Sequence, residues 1–315
     1  MSTYLNTYLE TRKRLKSYDY FTWLASWDAE TEAPKGSIEY RSKQLEVMAN
    51  EIYAIKSNPS YVEAIEKLYE DKDTLDHDLA VEIKNQFKAL RMIKKVPKDE
   101  YIAYQVLMSK SVHVWADAKH NNDFKMYAPT LKDIVSYQKK LVKYLETEDL
   151  KGYDILLDMY EEGFGQNEYD AFFNVLSSEL VAFVKEKTKK PKAIHPALLK
   201  GPFDKEKQKA FSEYLLDVFS YDRQHGLLKT SEHPFTSGVS SMDTRITTRY
   251  LEDQLLSSIF STIHEMGHGL YEMQVDRKYD DTYLNGGTSL GIHESQSRMY
   301  ENMIGRSKAF WDVHF

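Results

Sequence analysis

His264 and His268 stand four positions apart with Glu265 directly after the first, in the run His264-Glu265-Met266-Gly267-His268. This is an H-E-x-x-H pentapeptide. On a helix, positions i and i+4 lie one above the other, so two imidazoles so placed converge on one metal ion. The glutamate beside the first histidine reaches a water held by that ion, which is the arrangement of a zinc metallopeptidase. The competing reading of the same residues is a helix carrying two surface or core histidines and a glutamate paired with a lysine.

The chemistry needs a helix under it. Leu251, Leu255, Ile259, Ile263, Met266 and Leu270 recur at spacings of three or four, a helical period and not the alternation of a strand. Gly267 costs such a helix about 1 kcal/mol relative to alanine, and a side chain there would block close approach of another segment. Catalytic zinc usually takes three protein ligands. The third is expected from Glu294, beyond the chain-reversing turn Asn285-Gly286-Gly287, near the start of a second helix that carries Met299, Met303 and Ile304 on one side. Glu301 and Glu272 are possible substitutes. Taken alone, Glu294 also reads as an acid placed by the dipole of a helix N-terminus.

Several motifs in order resemble the Taq-type thermostable metallocarboxypeptidases. Around Glu294 these are His293-Glu294-Ser295-Gln296-Ser297-Arg298, Glu301-Asn302 and Gly305-Arg306-Ser307. Upstream stand His233-Pro234-Phe235 and Asp243-Thr244-Arg245-Ile246-Thr247, a D-x-R-x-T element. Further upstream are the stretch from Tyr153 to Glu161, and Trp27-Asp28-Ala29-Glu30-Thr31 with Pro34, Gly36, Arg41 and Gln44. The resemblance covers the whole chain. It implies a cytoplasmic, homodimeric exopeptidase that removes residues from peptides with a free C-terminus. It also implies one divalent ion, zinc, with cobalt or manganese as replacements.

Carried over by motif, His264, His268 and Glu294 bind the metal and Glu265 is the general base. His233, Asp243, Arg245, Thr247 and His293 are expected at the substrate or behind the ligands. His233 is an oxyanion donor or a plain loop histidine. Asp243 would hold the free nitrogen of a metal-binding histidine, and Arg245 would pair with Asp243 or with a substrate carboxylate. Family members are longer, and the resemblance places a carboxylate-binding arginine beyond Phe315. The expectation is therefore one helical catalytic region over residues 1–315, lacking the C-terminal part of the family's domain and weakly active by itself. A metal endopeptidase or oligopeptidase with the same core, or a non-catalytic fragment that binds metal or peptide, are the other readings.

The expected fold is all-α, predominantly helical, with a small β-element near the site and a gluzincin-like zinc helix lining a cleft. Apolar residues repeat at helical spacing through Tyr4, Tyr8 and Leu15, then Leu45, Met48 and Ile52, then Val62, Ile65 and Leu68. The same holds around Tyr101 to Trp115, Leu131 to Leu141, Phe172 to Phe183 and Phe211 to Phe219, and these stripes are read as core. Pro34, Pro59, Pro97, Pro129, Pro191, Pro196 and Pro202 mark boundaries. One strand is expected, from Arg245 to Tyr250.

Composition narrows the partners. With no cysteine, any metal must be held by nitrogen and oxygen. A net charge of −7 argues against nonspecific nucleic-acid binding. The polar stretch from Met1 to Tyr20 is no signal peptide, and no apolar run is long enough for a membrane span. The basic clusters Arg12-Lys13-Arg14 and Lys185 to Lys192 read as solvated helix ends. Two decoys are set aside. Gly287-Thr288-Ser289-Leu290-Gly291 matches the serine-hydrolase G-x-S-x-G, but lacks the strand that must precede it. Asp76-His77-Asp78 has adjacent side chains that diverge on a helix, so it reads as a solvated first turn.

Overall fold

The computed structural model describes residues 3–189 and 201–314, and Pro191, Pro196 and positions 190–192 of the second basic cluster lie outside them. The chain is 73% helical with 12 helices and one small three-stranded sheet. It forms two interleaved compact units.

The first unit comprises residues 1–145, 237–244 and 272–286. It holds α1 (Thr3–Thr31), α2 (Ile38–Lys56), α3 (Pro59–Glu70), α4 (His77–Lys95), α5 (Lys98–His120) and α6 (Phe124–Leu145). Start signals are explicit. Asn58 caps α3 through its side chain with Pro59 in the first helical position, and Asp76 caps α4 by accepting from the Leu79 amide. The capping role of Asp76 is what the Asp76-His77-Asp78 triplet does, while Asp78 accepts from Lys278 and Tyr279. Tyr8, Leu15, Ile65, Leu68 and Ile83 fill the core.

Two sequence expectations change in this unit. Arg12-Lys13-Arg14 lies inside the 29-residue α1 and is no helix end; Arg12 turns inward and pairs at 2.7 Å with Glu82, which is buried. A buried carboxylate needs such a partner, and a second bond from the Tyr283 amide at 2.9 Å completes it. Pro129 lies within α6, not before it, because Asp123 caps the helix by accepting from the amides of Lys125 and Met126. The motif around Trp27 is a clamp: Arg41 donates to the Asp28 carboxylate and to the Ala25 carbonyl, both at 2.6 Å, tying α2 to the end of α1.

The second unit comprises residues 146–236, 245–271 and 287–315. It holds α7 (Tyr153–Tyr160), α8 (Gln166–Lys187), α9 (Lys205–Val218), most of α10 (Leu255–Met273), α11 (Leu290–Arg298), a π-helical stretch (Met299–Gly305) and α12 (Lys308–His314). Its core is Leu215, Leu216, Ile246, Ile259, Ile263, Met266 and Phe310. Helices α9 and α10 are also joined by polar side chains: Ser258 donates to Gln208 at 2.7 Å, and the Ser212 and Thr262 hydroxyls meet at 3.0 Å.

The sheet has the order β1–β3–β2, with β1 (Gly226–Thr230), β2 (Thr236–Ser240) and β3 (Asp243–Thr248). The expected strand thus begins two residues earlier and ends at Thr248, and it has two neighbours that the sequence did not announce. Both neighbours are five residues long and weak in β-branched side chains, so their strand character comes from the ladder and not from local preference. Among the described residues no helix is long and apolar enough to cross a membrane.

Candidate metal centre and active site

Helix α10 carries the H-E-x-x-H pentapeptide. Its apolar stripe is buried through Ile259, Ile263, Met266 and Leu270, which leaves His264 and His268 on the neighbouring stripe with side chains 17% and 15% exposed. The rings sit 4.9 Å apart at 81° to one another. Helix α11 crosses this surface. Its start is fixed twice, by Ser289, whose side chain accepts from the Ile292 amide, and by Glu161, which accepts from the Gly291 amide at 3.0 Å. Ser289 is therefore a helix cap and no nucleophile, and the stretch from Tyr153 to Glu161 serves to hold α11 in place.

Gly267 explains how close the helices come. A Cβ at this position would stand 2.8 Å from the Cα of Ser297 and 3.2 Å from the Gln296 carbonyl oxygen, inside contact distance of a backbone that cannot yield. Gly287 plays a similar part, since a Cβ there would meet His293 Cδ2 at 2.5 Å and the Tyr271 ring at 2.8 Å.

The approach brings Glu294 over the two histidines. Its Oε2 lies 3.6 Å from His264 Nε2 and 3.5 Å from His268 Nε2. Both distances are too long for hydrogen bonds. They suit three donors facing a common centre, because bonds of about 2.0–2.1 Å in a tetrahedral zinc site separate neighbouring donors by about 3.3 Å. Among the described residues this is the group of histidine and acidic side chains with donor atoms gathered for a metal, all within 4.8 Å of one another. One carboxylate and two imidazoles are a donor set that fits a divalent ion of the zinc type.

The other nitrogen of each histidine is engaged as well. His264 Nδ1 donates to Glu301 Oε2 at 2.9 Å, leaving the Nε2 lone pair for the centre. His268 Nδ1 meets His293 Nδ1 at 2.6 Å. The role expected of Asp243, holding a histidine's free nitrogen, is thus taken by Glu301 and His293. Glu301, foreseen only as a substitute ligand, is an orienting carboxylate. Glu272, the other substitute, stands against Gly286 beyond the pentapeptide.

Burial, with help from His293 and His264, pushes the His268 imidazole down to about 4, so it is neutral at neutral pH and able to ligate. Burial pushes the Glu265 carboxyl up, against a hydrogen bond from Thr236 and the nearby His264. Burial acts upward on Glu301 too, but hydrogen bonds from Arg306 and His264 outweigh it, so its carboxyl lies below the usual range.

Glu265 is buried, and Thr236 Oγ1 lies 2.8 Å both from its Oε2 and from its backbone oxygen. Thr236 escaped the sequence reading. It follows His233-Pro234-Phe235 directly, and that adjacency was the available signal. Asp243, Arg245 and Thr247 alternate along β3 and so share one face of it, which is the physical content of the D-x-R-x-T spacing. Thr247 is fully buried, and its hydroxyl accepts from Ser231 and from the Phe235 amide at 2.7 and 2.8 Å. It thereby fastens the loop that presents the exposed His233.

The family model for the carboxypeptidase Taq (M32) metallopeptidases matches residues 7–315, and the chain belongs to that family. It is 35% identical over 313 residues to carboxypeptidase 1 of Bacillus subtilis, covering 99% of this chain and 62% of that protein. A solved structure called BsuCP superposes with a TM-score of 0.92 at 35% identity, over 98% of this chain and 62% of that one. The carboxypeptidase of Pyrococcus furiosus superposes with a TM-score of 0.84 at 30% identity, over 100% of this chain and 63% of that one. The chain thus spans about three-fifths of the length of these relatives.

Proposed function

We propose that the protein is a metal-dependent carboxypeptidase that removes C-terminal residues from peptides, with His264, His268 and Glu294 as ligands of one ion and Glu265 as general base. The observation that carries this reading is the convergence of Nε2, Nε2 and Oε2 at 3.5–3.6 Å, beside a buried glutamate. Membership of a metallopeptidase family and carboxypeptidase relatives support it.

When bound, a divalent ion supplies Lewis acidity toward a water and toward the scissile carbonyl. Thr236 holds Glu265 Oε2, so Oε1 is the atom that takes the proton of the attacking water and returns it to the leaving amine. The raised carboxyl of Glu265 suits this, since a base works best when its pKa nears the working pH. Glu301 and His293 keep the histidine lone pairs aimed inward. His233, on the loop fastened by Thr247, is assigned to the oxyanion. Arg245, on the strand face it shares with Thr247, is assigned to the substrate carboxylate, a role its planar fork fits.

Zinc is the proposed ion, on the nitrogen and oxygen donor set. A homodimer in the cytoplasm is proposed on the family resemblance, with which the absence of cysteine agrees. The test is to incubate the zinc-loaded protein with one short peptide as free acid and as C-terminal amide, and to read the products by mass spectrometry. Loss of the terminal residue from the acid alone is expected. Internal cleavage of both peptides would replace the exopeptidase by an endopeptidase, and metal uptake without any cleavage would leave a binding fragment.

A further inference from the structure

We infer that Arg298 is a positioning residue that restricts Glu294 to ligation through one oxygen and couples that ligand to the carboxylate that orients His264. The inference rests on the ligand set proposed above.

The two oxygens of Glu294 have different partners. Oε2 faces both histidine Nε2 atoms, with the Ser297 hydroxyl at 3.3 Å. Oε1 accepts from Arg298 Nε at 2.6 Å. A carboxylate without that bond is free to turn both oxygens toward a metal, and the second would occupy the position a catalytic site must leave open. The same guanidinium reaches further: Arg298 Nη1 donates to Glu301 Oε2 at 3.0 Å, the oxygen that also receives His264 Nδ1. One planar cation thus spans a ligand on α11 and the orienting group for a ligand on α10. An ammonium on a flexible stem lacks the fork needed to hold both in register.

The alternative is an ordinary helix-surface ion pair. The side chains of Arg298 and Glu294 are 52% and 47% exposed, and such a pair one helical turn apart contributes little to folding. A purely structural role therefore predicts almost no effect of removing it, whereas the positioning role predicts a change at the metal.

The experiment titrates the chain, Arg298→Gln and Arg298→Lys with zinc and with cobalt(II), following affinity by calorimetry and ligand number by the visible cobalt bands, whose intensity falls as coordination rises. Arg298→Gln should weaken zinc binding about 10- to 100-fold, as loss of a supporting group does. Its cobalt bands should weaken as Glu294 becomes two-oxygen, while the thermal midpoint of the metal-free protein stays put. Arg298→Lys should recover only part of the affinity. Unchanged affinity and spectrum in Arg298→Gln would overturn the inference. Should that variant not fold, Arg298→Lys decides, with wild-type affinity and spectrum overturning the inference and weaker binding supporting it. If the unsubstituted chain binds no ion that His268→Ala abolishes, the ligand assignment itself fails, which is a different result from an ion bound equally well without Arg298.

Discussion

Helices α10 and α8 are of similar length, 19 and 22 residues, and both carry apolar stripes at helical spacing, yet they end in opposite environments. Nine residues of α10 are buried, among them Ile259, Ile263, Met266 and the polar Glu265. No residue of α8 is, and Phe172, Phe173, Val175, Leu180 and Phe183 are each at least half exposed. The contrast separates propensity from burial. A periodic stripe makes a helix amphipathic, but only a partner surface makes the stripe a core. In α10 that partner allows a carboxylate to be desolvated and tuned; in α8 the same sort of stripe meets none among the described residues.

The contrast is sharpest in turnover. Glu265→Gln should lower kcat for release of a C-terminal residue by about 10²- to 10⁴-fold, because an amide cannot accept the water's proton. Bound metal should be unchanged. Glu179→Gln on α8 should alter neither. A Glu265→Gln enzyme with near-normal kcat would remove Glu265 as the base.

Stability should divide the helices next. Ile263→Ala opens a cavity at a fully buried site and should cost about 2–5 kcal/mol in urea unfolding. Leu180→Ala, at a site half exposed, should stay within about 0.5 kcal/mol. Comparable losses for the two would show that α8 is covered in solution and would end the comparison.

Metal should act on one side only. An ion present at a hundredfold excess over its Kd stabilises the fold by about 2.7 kcal/mol, and a chelator should remove that increment. Thermal midpoints with and without chelator would measure it. The increment should survive Leu180→Ala and vanish in His268→Ala; its persistence in the latter would place the ion elsewhere.

The smallest effect concerns protons. In the metal-free protein His268 titrates near 4 when folded and near its ordinary value of about 6.5 when unfolded. Below the unfolded value the unfolded chain binds the extra proton first, so stability should fall as pH drops from about 6.5 toward 4, by about 1–3 kcal/mol. His268→Gln should flatten that part of the pH profile measured by chemical unfolding. An unchanged slope would mean that other groups carry it.

The sequence made the zinc-binding helix legible because a four-residue spacing fixes a shared face with no knowledge of the rest of the fold. Glu294 was within reach because a turn and a second helix could be read between it and His268. Glu301 was seen in the wrong role and Thr236 not at all. Their positions depend on how α10, α11 and β2 pack, and spacing along one helix says nothing about that. The strand neighbours of β3 were invisible for a related reason: Gly226–Thr230 and Thr236–Ser240 become strands by pairing. The stripe of α8, read as core, shows the converse limit. Phe172, Leu176, Leu180 and Phe183 announced a helix correctly, and their burial depended on a partner that periodicity cannot supply.

The π-helical stretch from Met299 to Gly305 bears on which genetic changes the centre can absorb. In an α-helix the residue under Glu301 would be Gly305, but the wider turn puts Arg306 there, where it donates to Glu301 Oε1. Such a turn is equivalent to one residue inserted into a regular helix. Loss of a single codon between 302 and 305 would restore regular winding and still leave an arginine beneath Glu301. Everything after it would swing by about 100°, carrying the buried Phe310 off its seat. Frame-preserving deletions here should therefore damage the packing of α12 sooner than the metal ligands.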